Sequence, residues 1–167
     1  MRKLFFLFCV ALAVFLIAAQ VPPDSQVAGK FTVKGTTVKL AHVHAFWKPR
    51  LMNESKSDLH VLISDEPVPP DTIPSTDEGV AKMAALVRDD KIHAFELHFD
   101  GDTEKLFEGE EAAVYHGGIA PARMGENGAF RFTATAHDPS ARVGKVAADQ
   151  GEWTCEATFL VAVPTKP

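Results

Sequence analysis

Between residues 153 and 163 the chain alternates. Trp153, Cys155, Ala157, Phe159, Val161 and Val163 fall on one parity, and Thr154, Glu156 and Thr158 on the other. A period of two is the repeat of an extended strand with one face on a core, whereas a helix repeats every 3.6 residues. A strand leaves its backbone N–H and C=O groups to be satisfied by neighbours, so a chain built around one has to supply others.

The rest of the chain supplies them. Phe31 and Val33 alternate within 30–34, and Lys34-Gly35 reads as a tight turn. The stretch 36–47 is apolar on both parities, with Val38, Leu40 and Phe46 on one and Ala41, Val43, Ala45 and Trp47 on the other. That pattern predicts one long central strand covered on both sides. Leu59, Val61 and Ile63 mark a strand over 59–64, and His93, Phe95, Leu97 and Phe99 share a face in 91–100. Asp100-Gly101 is a hairpin signal leading to a partner over 106–115. Further strands are predicted over 130–137 and 142–147. Pro67, Pro69, Pro70 and Pro74 exclude a central strand from 66–74. Ser75 and Glu78 have the spacing of a capping box, and Val80, Met83, Ala84 and Val87 follow at i, i+3, i+4 and i+7, so one short amphipathic helix is expected here. The fold class predicted is all-β, about seven or eight strands with one short helix, as a β-sandwich in preference to a meandering β-barrel.

A hydrophobic fraction of 46% with 23% charged residues is the balance of a globular chain, and 167 residues suffice for one domain. Arg2 and Lys3 precede an unbroken apolar run over 4–19, and Gln20, Pro22, Pro23 and Asp24 follow. This is the layout of a secretory signal peptide, and the run falls short of the roughly 17–25 residues of a membrane span. The expected organisation is a signal peptide over 1–19, a flexible linker over 20–29 and a single β-domain over 30–164. The chain is then exported, periplasmic or extracellular after cleavage, with an N-terminal membrane anchor as the alternative. Cys9 leaves with the signal, so Cys155 has no intramolecular partner. The formal charge of −5 becomes more acidic once Arg2 and Lys3 are removed. That disfavours nucleic acid and anionic lipid as partners.

The segments Gly29-Lys30-Phe31-Thr32-Val33, Val61-Leu62-Ile63-Ser64-Asp65-Glu66-Pro67, Ile92-His93-Ala94-Phe95-Glu96-Leu97 and Trp153-Thr154-Cys155-Glu156-Ala157-Thr158-Phe159 resemble those of a group of small secreted bacterial proteins of unknown function. The resemblance implies an exported β-domain and no particular activity.

Chemistry is sparse. His42 and His44, two apart on a strand, put both imidazoles on one face about 7 Å apart, within reach of one metal ion. Imidazole suits copper and zinc, and further ligands would come from His60, His93, His98, His116 or His137. Asp100, Asp102, Glu104, Glu108 and Glu111 follow part of a calcium-loop count, but Lys105 stands where the sharp turn needs Gly. There is no Gly-x-Ser-x-Gly elbow, no motif pairing two carboxylates and no phosphate-binding Gly loop. Cys155 lies on the core parity. Trp47 at a strand end is a candidate contact residue. The expectation is a non-enzymatic exported β-domain that binds an envelope protein or a small ligand and needs no cofactor. A periplasmic copper or zinc protein using His42 and His44 is one alternative, and a hydrolase with a dispersed site is the other.

Overall fold

The structure is a computed structural model that describes residues 25–50, 53–102, 111–115, 122–123, 130–135, 140–149 and 153–167. Among these residues ten strands form two five-stranded antiparallel sheets. The strands are β1 (Gln26–Val33), β2 (Thr36–Leu40), β3 (His42–Arg50), β4 (Asn53–Ser64), β5 (Ala94–Phe99), β6 (Glu111–Tyr115), β7 (Ala122–Arg123), β8 (Phe130–Thr135), β9 (Ala141–Asp149) and β10 (Trp153–Ala162). One α-helix, α1 (Asp77–Arg88), lies between β4 and β5 in the chain. One sheet runs β2-β1-β10-β9-β8 and the other β3-β4-β5-β6-β7, and neither closes into a barrel. The expected β-sandwich is the fold. Apart from 36–47, each expected strand has a counterpart among the described residues. The count reaches ten because 36–47 divides and because Ala122–Arg123 forms a further short strand.

The sheets meet face to face through aromatic side chains. The Phe31 ring of β1 lies 5.6 Å from that of Phe95 on β5 and 5.8 Å from the Trp153 indole on β10. Leu59, Val61 and Ile63 of β4, Leu97 and Phe99 of β5, and Cys155, Ala157, Phe159 and Val161 of β10 complete the same core. The alternation over 153–163 therefore predicts the inner face of β10 correctly, and Cys155 is a buried core residue. β1 starts at Gln26, opposite Leu160, so part of the stretch expected as linker is paired sheet. Gly29 belongs to that pairing, because a Cβ there would stand 2.2 Å from the Glu156 carbonyl oxygen. Residues 1–19, and Cys9 with them, lie outside the described residues.

The stretch 36–47 is not one central strand. It is two strands in different sheets, and each lies at the edge of its own sheet. Lys34 and Gly35, both at positive φ, make the two-residue turn that pairs β2 with β1. At Ala41 the chain leaves one ladder and joins the other, its N–H donating to the Ser64 carbonyl at 2.9 Å. Leu40 is buried before the crossing, and after it β3 buries one residue on each face, Val43 and Phe46. The apolar residues on both parities therefore belong to two edge strands and not to one central strand. β4 is buried on both faces, with every residue from Asp58 to Ser64 buried, and β5 beside it nearly so.

The helix begins one residue later than the capping-box spacing predicts. Thr76, not Ser75, is the cap, with its Oγ1 accepting from the Gly79 N–H at 3.1 Å. Glu78 instead pairs with Lys82 at 2.9 Å, one turn on. Met83 and Val87 of the expected apolar stripe are buried in the core.

The Phe31→Ala variant should lose about 3–5 kcal/mol of stability, because it empties an aromatic site shared by both sheets. Val143→Ala, at a position 44% exposed, should change stability by less than about 0.5 kcal/mol. Urea unfolding of the two variants measures both effects.

Candidate metal centre

β4 and β5 are neighbours in exact antiparallel register, with His60 opposite His98 and Leu62 opposite Glu96. Val61, Leu97 and their alternate neighbours take the inner face, so His60, Glu96 and His98 leave the other face together. The result is a cluster in which one ligand atom from each of the three residues lies within 4.8 Å of the other two. His60 Nδ1 is 2.5 Å from Glu96 Oε1, and His98 Nε2 is 2.9 Å from the same oxygen. The imidazole rings are 4.4 Å apart between centroids. Phe46, opposite His60 on β3, stacks on the His60 ring at 5.3 Å and closes one side. Glu96 is only 4% exposed and His60 only 7%, while His98 is less enclosed.

Burial pushes the His60 imidazole below its ordinary pKa. The Glu96 carboxylate opposes that fall, and the nearby charges of His98 and Lys48 add to it. A neutral His60 carries one ring proton. With Nδ1–H donating to Glu96, Nε2 presents a lone pair. Two imidazoles and one carboxylate form a donor set that zinc and other first-row divalent ions accept.

His42 and His44 are not members of this cluster. They sit on β3 opposite Ser64 and Leu62, on the face that Phe46 shares with His60. Of the further ligands considered, His60 and His98 converge and His93 does not. His93 donates its backbone N–H to Asp65 Oδ1 at 2.7 Å, and its ring lies between Asp65 at 2.8 Å and Asp90 at 3.1 Å. It ties the end of β4 to the start of β5. His116 and His137 lie outside the described residues. Glu96 escapes sequence reasoning because it is a lone acidic residue in an apolar strand. The readable signal was Glu96-Leu97-His98, two polar residues on the off-parity of Phe95, Leu97 and Phe99.

The acidic count beginning at Asp100 is taken up by cations of the chain. Asp100 accepts from Arg50 Nη2 at 3.0 Å, and Asp102 pairs with Lys56 at 2.7 Å and Lys166 at 3.5 Å. Glu104 and Glu108 lie outside the described residues. Trp47, read as a contact residue, is engaged within the chain. Its indole N–H donates to the Pro164 carbonyl at 2.7 Å, and the Lys166 ammonium lies 5.3 Å from its ring centroid.

No protein-family model, curated protein or solved structure matches this chain.

The lowered His60 pKa fixes the sign of one pH effect. The folded state binds that proton less readily than the unfolded state, whose pKa is near 6.5. The neutral form therefore contributes stability at neutral pH, which is lost as pH falls through about 6.5 toward the folded value. Urea unfolding either side of that window should show weaker stability on the acid side, and His60→Gln should flatten this dependence.

Proposed function

We propose that this chain is an exported β-sandwich domain that binds a divalent transition-metal ion, zinc or copper, through His60, Glu96 and His98. The observation that carries this reading is the convergence of the three ligand atoms within 4.8 Å on two adjacent strands. A rigid ladder sets their spacing, so the cost of ordering ligands is met largely on folding. The imidazoles bind an ion as neutral rings, so binding weakens as pH falls and protons compete for their lone pairs. The reading keeps the role non-enzymatic, with the metal as cargo or as a structural element. Export is supported by the basic and then apolar residues over 1–19.

A second reading, docking of an envelope protein or small ligand, draws support from the outer face of the β1-β10-β9 sheet. A shallow groove of about 610 Å³ there is lined by residues that include Ala28, Val143 and Leu160.

Isothermal titration with Zn²⁺ should show a stoichiometric site whose affinity falls as the pH is lowered and the imidazoles protonate. Glu96→Gln with His98→Ala should weaken it by at least about 100-fold. Saturation at 100 times Kd should raise unfolding stability by about 2.7 kcal/mol. Wild-type protein that takes up no Zn²⁺ or Cu²⁺ would rule the reading out.

A further inference from the structure

His42 and His44 are the candidate ligands that the three-residue cluster leaves unused. They stand two apart on β3, so both imidazoles leave the same side of the strand, with Cα atoms about 7 Å apart. The register places His44 opposite Leu62 and His42 opposite Ser64, and the next residue on that parity, Phe46, opposite His60. The histidine pair and the buried cluster therefore share one face of one sheet. His44 is one diagonal step from His60, a separation of about 7–8 Å between Cα atoms. Burial differs between the two groups. β3 is the edge strand, and His42 and His44 are partly exposed, whereas His60 and Glu96 are buried.

We infer that His42 and His44 form a second, weaker site for the same divalent ion at the sheet edge, from which the buried site is loaded. The inference rests on the metal-binding reading of His60, Glu96 and His98. Two imidazoles on one strand chelate a zinc or copper ion while solvent completes its coordination shell. Fewer protein ligands and greater exposure make this site weaker and faster to exchange. An ion held there is already on the correct face and next to Phe46, which flanks His60.

Calorimetric titration with Zn²⁺ at neutral pH, with the rate of filling followed by competition against a chromophoric chelator, tests this on the full chain. Wild type should bind two equivalents, the second at least about tenfold weaker than the first. The His42→Ala/His44→Ala variant should keep only the tight equivalent and fill it several-fold more slowly. Glu96→Gln/His98→Ala should keep only the weak one. Circular dichroism confirms that each variant is folded, and His42→Gln/His44→Gln replaces the alanine pair if it is not. A single wild-type equivalent that survives loss of His42 and His44, with an unchanged filling rate, overturns the second site and leaves the buried site standing. An unchanged filling rate with two equivalents overturns the loading role. No uptake by wild type overturns both sites.

Discussion

Glu96 occupies a position 4% exposed, and removing a carboxylate from water costs several kcal/mol unless nearby groups stabilise it. Its contacts with His60 and His98 therefore bear on more than their own geometry. They hold β4 and β5 in the register that sets Leu62 opposite Glu96, since a one-residue slip would turn the carboxylate toward Phe31 and Trp153. The inner face of these strands supplies the hydrophobic driving force, and the outer face supplies the specificity. Phe46, stacked on His60, extends that constraint to the edge strand.

A second polar group lies on the same face, one step along the ladder. Asp58, 3% exposed, takes Arg50 in a forked contact, Nε to both carboxylate oxygens at 3.1 Å and Nη2 to Oδ1 at 2.6 Å. Arg50 also reaches Asp100, and the Gly101 N–H donates to Asp58 at 3.2 Å. This network joins β3, β4 and the turn after β5. It gives Arg50 and Asp58 charged partners inside the sheet.

The strands were legible because alternation survives in single segments: β10 and β5 display their inner residues without reference to anything else. What alternation leaves open is where a strand lies. Residues 36–47 carry apolar side chains on both parities, as a doubly covered strand would, and so does a chain that changes sheets midway. The two cases differ at Ala41, whose N–H bonds to Ser64 of β4, a long-range contact that no local pattern encodes. The site was legible in the same partial way. His42 and His44 stood out because two like residues sit in one strand. His60 and His98 are 38 positions apart and become opposite only through the β4–β5 register. Glu96 drew no notice, since one acidic residue in an apolar strand implies nothing until its neighbours are known.

Among the described residues the two buried carboxylates, Asp58 and Glu96, differ in the chemistry of their partners. A guanidinium keeps its proton throughout the accessible pH range and carries no lone pair for a metal, so the Asp58–Arg50 contact is closed to exchange. An imidazole gives up its proton near neutrality and then becomes a ligand. Burial pushes His60 in that direction, and the Glu96 carboxylate beside it attracts whichever cation, proton or metal, stands between them. On one face of one sheet, therefore, the arginine network fixes the strand ends, while the imidazole cluster holds a buried carboxylate between rings whose lone pairs stay open to a cation.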